Sequence, residues 1–305
     1  MNISTVIREA GLLLVDPKRF ARQRTVRVRR VLGGALKAAH LPTYLTRRRL
    51  AEVVDEVPAR PAIPSEDGFV LWHPPGFSLL NDAIDEANQL FDSVDLNSLK
   101  RSMPSDAPFT RVPFELQPQS AIARLAVHPI LIRAFSEYLG LVPVLHVIQL
   151  MYSPNDRLVP GSSQYYHLDG QDVRSLQVFV YLHDITLDHG PLTLIRAAVS
   201  ERIAVKLRYR KAGAKRRLDD NTIATLVDPG KEVRTLTGPK GSVLVFDGDR
   251  CLHYGSRLAT LPRKILHYAY LSPFAFTLPS RWWTRYEHLV PQDAPRWQRA
   301  VVTRV

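Results

Sequence analysis

Apolar residues in the first 55 positions, among them Ile7, Leu12, Leu14, Phe20, Val28, Val31, Leu32 and Leu36, recur at spacings near three and four with arginines between them. That periodicity predicts a basic amphipathic helical arm. Gly33-Gly34, then Pro42 and the run Arg47-Arg48-Arg49, are expected to interrupt it. The closely spaced prolines of 58–64 disfavour both helix and central strand, which predicts an extended linker and a boundary near residue 60. Residues 1–60 are thus read as arm and linker, and 61–305 as one larger body. In that body Gly68 to Trp72 reads as a short buried strand. Leu79 to Phe91 reads as a helix with Asp82, Asp85 and Glu86 on its wet side, and further helices are expected at 120–126 and 129–139. From Val142 onward the texture changes to short apolar or alternating runs at 142–152, 164–169, 174–183, 191–195, 233–236, 242–246, 250–254 and 264–271. Eight such runs separated by Gly, Pro, Asp and Asn predict a mainly β fold with flanking helices, an antiparallel sandwich or barrel.

Composition narrows the class. The 305 residues are 45% hydrophobic and 23% charged, which suits a globular chain and argues against disorder, collagen and coiled coil. The lone cysteine, Cys251, cannot form an internal disulfide. No apolar run approaches the roughly 20 residues that span a bilayer, and the N-terminus lacks the pattern of a signal peptide. A cytoplasmic protein is therefore expected.

Charge is modular. The formal net charge is +12, yet residues 1–50 carry twelve Lys/Arg against Glu9 and Asp16. A second cluster, 202–217, adds eight basic residues and no acidic one. Two cationic segments on a mildly acidic body suit contact with something anionic, either a membrane surface met peripherally by residues 1–55 or a phosphate-bearing substrate. Nucleic acid is the weaker reading, since only Phe20 and Tyr44 in the arm could stack on bases. The competing readings are a solvated helix face for the arm, or its docking on the body or a second subunit, and a flexible loop for the basic insert 202–217.

His167 and Asp169 stand two apart, and on an extended segment that spacing turns both side chains to one face. Alone the pair discriminates little. Downstream, 84 residues after Asp169, the segment Gly241 to Ser256 brings a second histidine, His253. Two histidines and one carboxylate form the facial triad of non-haem Fe(II) oxygenases, which leaves coordination positions open. Ten residues beyond His253, Arg263 begins an apolar strand, where its guanidinium could hold the far carboxylate of a dicarboxylate co-substrate.

These residues, with the stretches His146 to Asp156 and Val178 to Ile195, resemble the phytanoyl-CoA dioxygenase family of Fe(II)/2-oxoglutarate oxygenases over roughly residues 66–272. The resemblance implies a double-stranded β-helix core, jelly-roll and cupin-like, with Fe(II), 2-oxoglutarate and O2 as metal and co-substrates. It implies His167, Asp169 and His253 as iron ligands, Arg263 on the 2-oxoglutarate C5 carboxylate and Ser256 as its helper. Tyr254 shifts Ser256 one place from the family's usual spacing. Gln149 shares a strand face with Met151 and Ser153 and is a candidate wall of the co-substrate pocket. Arg196-Ala-Ala-Val-Ser200 replaces the family's Pro-Gly-Ser-His turn, so the substrate side is expected to differ. Asp169 in place of a small residue favours hydroxylation over halogenation.

The expected activity is therefore hydroxylation of a C–H bond in a small or lipid-like, anionic metabolite, with oligomeric state left open. The alternative is a catalytically silent β-helix protein that binds through its basic segments. Arg257 and Lys264 are substitutes for Arg263. His267 is expected to be a satisfied histidine beside the site, His183, His189 and Asp184 to face solvent, and Cys251 to be small filler. Trp282-Trp283 reads as core packing or an interfacial anchor.

Overall fold

The computed structural model describes residues 20, 24–54, 60–104, 107–156, 160–210, 216–257, 259–278 and 285–303. The readings of Ile7, Leu12 and Leu14, of Pro58 and Ala59 in the linker, of 211–215 in the basic insert and of Trp282-Trp283 fall outside these residues. None of the described helices is long and apolar enough to cross a membrane.

Among the described residues nine strands form two antiparallel sheets. The larger contains β1 (Phe69–Trp72), β2 (Thr110–Val112), β3 (Val144–Ser153), β4 (Ser175–Tyr181), β7 (Val243–Asp247) and β9 (Arg263–Leu271) in the order β1-β7-β4-β9-β3-β2. The smaller has the order β6-β5-β8, from β5 (Thr193–Ile195), β6 (Val233–Thr235) and β8 (His253–Tyr254). Period-two alternation gives β9 its two uses. Tyr268 and Tyr270 point to the helical layer and donate to the carbonyls of Ile122 (3.0 Å) and Ala126 (2.6 Å). Arg263 and His267 point the other way, into a cavity. The helical layer is α3 (Ser78–Asp92), α5 (Ala121–Ala126) and α6 (Pro129–Leu139), with the short α4 (Leu96–Arg101) following α3 in the chain, and the layer's Ile84, Phe91, Ile122 and Phe135 are buried with Leu150, Val178 and Tyr268 in the main core.

The expectation of a mainly β, double-stranded β-helix of the jelly-roll, cupin-like type is not met. The fold is mixed α/β: helical residues outnumber strand residues, and both sheets are open, with no closed barrel among the described strands. Two segments account for much of the difference. Residues 164–169, read as a strand, instead follow the 3₁₀ turn Ser162–Gln164 and make only single bridges, Tyr166 to Leu218 and His167 to His253. The stretch 196–217, read as a replaced turn and basic loop, contains α7 (Ala197–Lys206), and α8 (Asp220–Ala224) and α9 (Pro229–Glu232) follow it. Glu86 is also not fully wet, since its Oε2 accepts from the Ile122 amide at 3.1 Å.

The described part of the arm is α1 (Val26–Ala39) and α2 (Leu41–Glu52). Of the expected breaks, the one at Pro42 occurs, since α1 ends at Ala39 and α2 starts at Leu41, whereas those at Gly33-Gly34 and at Arg47 to Arg49 do not. Pro42 lies in the first turn of α2, where no intrahelical N–H is lost, and Arg47 to Arg49 lie inside that helix. Gly33 lies inside α1 because a Cβ there would stand 2.6 Å from Val173 Cγ2, so the glycine permits close packing. Arginines fix both helices to the body. Arg29 pairs with Asp249 at 2.9 Å, and Arg47, fully buried, donates to the carbonyls of Val142 (3.1 Å) and Thr303 (2.7 Å).

Candidate metal centre

The cluster is assembled by backbone pairing. His167 and His253 exchange reciprocal N–H···O=C bonds of 3.0 Å, which sets their rings side by side with centroids 4.3 Å apart. In each histidine Nδ1 lies 2.9 Å from a carbonyl two residues earlier, of Tyr165 and Cys251 respectively. With Nδ1–H donating there, each Nε2 lone pair is left free to bind a metal. Both Nε2 atoms lie near Asp169 Oδ1, at 3.6 Å from His167 and 3.5 Å from His253, and one ligand atom from each of the three residues lies within 4.8 Å of the others.

Charge prepares the same set. Burial pushes His167 down to about 3, with His253 and Arg217 acting in the same direction. Burial opposes ionisation of Asp169, but His253 and His167 outweigh it and hold the carboxyl at about 2. Burial likewise opposes a charge on His253, yet Asp169 outweighs it and raises that pKa. At neutral pH the site therefore has an ionised carboxylate and a neutral His167, as metal binding requires.

Gly248 is a necessary neighbour. Its carbonyl accepts from the Asp169 amide at 2.9 Å, and a Cβ there would collide with the Asp169 carboxylate. Gly248→Ala is expected to weaken Zn(II) binding by about tenfold or more, in the range of lost outer-shell support. A chelator-competition titration measures this, and equal affinities would contradict it.

Arg263 sits elsewhere on the same cavity. It is buried, with Nη1 donating to the Gly190 carbonyl and Nη2 to Ser256 Oγ, both at 2.6 Å, while Nε has no partner. The Ser256 hydroxyl in turn donates to Ser153 Oγ at 2.8 Å. Among the described residues no carboxylate lies within ion-pair distance of Arg263. Burial lowers its pKa to about 10, so the guanidinium remains a cation at neutral pH. The two substitutes are engaged elsewhere. Arg257 pairs with Asp220 at 2.8 Å and stacks 3.6 Å over Tyr254, and Lys264 lies 3.7 Å from Asp92.

The cavity that joins these groups holds about 200 Å³, with Phe109, Met151, Phe179 and Phe246 as its apolar walls. A polar row crosses its floor. Arg111 Nε donates to Gln149 Oε1 (2.6 Å), and Gln149 Nε2 donates to His267 Nδ1 (2.7 Å). His267 Nε2–H then donates to Gln177 Oε1 (2.8 Å), and Gln177 Nε2 to Gln171 Oε1 (3.0 Å). Burial keeps His267 neutral, with its pKa at about 3. Gln149 thus lines the cavity, and His267 is a satisfied histidine within it.

Sequence reasoning missed Gln177, Phe179 and Phe246, although period two on β4 and β7 carries the signal. It also misjudged His183, which is half-buried and whose Nε2 accepts the Lys264 amide at 3.1 Å. Cys251 is buried and its thiol is pushed well up by burial, as filler should be.

No protein-family model and no curated protein matches the chain. Solved structures similar to it include iron-bound EctD from S. alaskensis, at 20% identity over 76% of this chain and 81% of that one, TM-score 0.45. The non-heme alpha ketoglutarate dependent epimerase SnoN from nogalamycin biosynthesis is 16% identical over 75% of this chain and 83% of that one, TM-score 0.42. HygX from Streptomyces hygroscopicus, with nickel and 2-oxoglutarate bound, is 16% identical over 68% and 84%, TM-score 0.43. Scores this low carry no argument about chemistry. What the chain itself presents is a facial triad of His167, Asp169 and His253 able to coordinate a metal ion.

Proposed function

We propose that the protein is an Fe(II)- and 2-oxoglutarate-dependent dioxygenase that hydroxylates a C–H bond of a small or lipid-like substrate. The observation that carries this reading is Arg263, a buried guanidinium without a carboxylate, opening onto the same cavity as the facial triad. An uncompensated buried cation is costly, and a ligand carboxylate with good geometry offsets that cost. A 2-oxo dicarboxylate suits both ends, with its oxo-acid end for the metal and its far carboxylate for the bidentate guanidinium.

In this reading His167, Asp169 and His253 hold Fe(II), Arg263 receives the far carboxylate and Ser256 aims the guanidinium through Nη2. Gln149 forms part of the wall. Iron bound there would supply O2 activation, with R–H, O2 and 2-oxoglutarate giving R–OH, succinate and CO2. The protein's own share is to place the substrate and exclude water, for which Phe109, Phe179 and Phe246 provide the apolar walls. Asp169 occupies the carboxylate position, so a halide finds no vacated ligand site, and hydroxylation is favoured.

Anaerobic titration with Fe(II) and then 2-oxoglutarate should develop the weak visible charge-transfer band of the chelate, and O2 should then yield succinate. Absence of both would overturn the reading and leave the binding-module alternative. Arg263→Gln is expected to raise the 2-oxoglutarate Kd by about tenfold or more, through loss of a charge-assisted bidentate contact. An unaltered Kd would remove Arg263 from the co-substrate site.

A further inference from the structure

We infer that the substrate of this site is an anionic amphiphile whose carboxylate or phosphate head is received by Arg217, while its apolar part lies against Phe109, Met151, Phe179 and Phe246. The inference rests on the metal-site reading above and names the substrate class that the basic insert selects.

The position of Arg217 follows from backbone register. Tyr166 and Leu218 form a reciprocal antiparallel bridge, N to O 3.0 Å in both directions. One step along that register Arg217 stands opposite His167. Continued by one residue, that antiparallel register turns the Arg217 side chain toward the face on which His167 presents itself to the metal.

The backbone on either side is held. Tyr209 OH accepts from the Leu168 amide (3.2 Å) and donates to the Arg216 carbonyl (2.6 Å), and Arg210 Nη2 donates to the Leu168 carbonyl. The insert is therefore fastened to the chain between the two metal ligands His167 and Asp169, and Arg217, beside that attachment, is exposed.

Other cations near the site are committed. Arg263 is assigned to the co-substrate, Arg111 Nε is held by Gln149, Arg210 by Leu168 and Arg257 by Asp220. Arg217 is exposed and forms no ion pair among the described residues. A cavity of about 200 Å³ that must also accept 2-oxoglutarate has room for a slender apolar segment. A charged head is best left at the rim, where its desolvation is small.

The test uses full-length protein loaded with redox-inert Zn(II) and saturated with 2-oxoglutarate, titrated with hexyl phosphate, hexanoate and 1-hexanol. The two anions should bind at least about tenfold more tightly than the alcohol, and the tighter of them identifies the head group. Arg217→Gln, checked for an unchanged melting temperature, should weaken both anions about tenfold and leave hexanol as it was. Arg217→Lys should keep most of the affinity, as charge is retained, and Arg202→Gln, an exposed position on α7, should behave as wild type. Anions that bind no better than hexanol would overturn the inference. So would equal losses in the Gln variants at 202 and 217, which signal a diffuse field, or displacement of the anions by 2-oxoglutarate, which places them at Arg263. Failure of 2-oxoglutarate to bind would instead overturn the oxygenase reading. The Arg217 dependence of hexyl phosphate binding is still read on the Zn(II) protein alone.

Discussion

Asp169→Ala should give a protein that melts as the wild type does but loses Fe(II) or Zn(II) affinity by more than about 100-fold, since removing even outer-shell partners costs about 10–100-fold. The carboxylate is the only anion of the triad, and its Oδ1 is the point on which both histidine Nε2 atoms converge, at 3.5 and 3.6 Å. Equilibrium dialysis against the metal reads the effect, and equal retention would remove the triad assignment. The pH dependence has a definite sign. Asp169 raises the pKa of His253, so in the metal-free protein acid protonates that ligand and metal affinity falls as pH falls through its raised pKa. Asp169→Asn removes the charge that raises it, which moves the fall in affinity to lower pH.

Arg29→Ala should destabilise the fold by about 3–5 kcal/mol, the usual cost of breaking one side of a buried ion pair. Asp249 is buried, with Oδ1 on Arg29 at 2.9 Å and Oδ2 accepting the amides of Gln171 and Asp172 at 3.2 and 2.8 Å. Burial already raises its pKa, with Arg29 opposing, so loss of Arg29 raises it further. A carboxyl raised in the folded state loses stability as pH rises from its unfolded value through its folded one. The penalty of Arg29→Ala is accordingly largest where Asp249 is ionised in the fold, shrinks as pH falls through its raised folded-state pKa, and is lost by about pH 4. Urea midpoints at pH 7 and pH 4 measure this, and the double variant Arg29→Ala with Asp249→Asn should recover much of the loss. A single variant within 1 kcal/mol of wild type would sink the account. The turn concerned, Asp247 to Asp249, also supplies the carbonyl that holds Asp169, so saturating Zn(II) should return part of the stability by linkage.

Local periodicity made several features legible in the sequence. Alternation along 263–271 already puts Arg263 and His267 on one face, and the His-x-Asp spacing puts His167 and Asp169 together. The helices at 78–92 and 129–139 follow from their apolar spacing and, for α6, from the Pro129 start and the left-handed Gly140 end. What escaped depends on long-range pairing. A run such as 164–169 has the texture of a strand, but whether it enters a ladder is decided by partners such as Leu218 and His253. An arginine on an amphipathic basic helix reads as solvated, and nothing near Arg29 announces an aspartate 220 residues away. Misjudging such long-range pairing led to the wrong fold class, while the metal cluster, built from two local motifs, remained readable.

The row from Arg111 through Gln149, His267 and Gln177 to Gln171 donates in one direction only, and its one titratable ring stays neutral down to about pH 3. A chain of amides and a neutral imidazole has no group along it that takes up or releases a proton in that range. The cavity floor is thus an insulator for protons and a fixed dipole for whatever rests on it. Its polarity stays the same from mildly acidic to mildly basic solution, so variation of binding with pH in that range arises outside the row, at His253, at Asp247, whose burial pushes it up to about 7, or on the bound molecule.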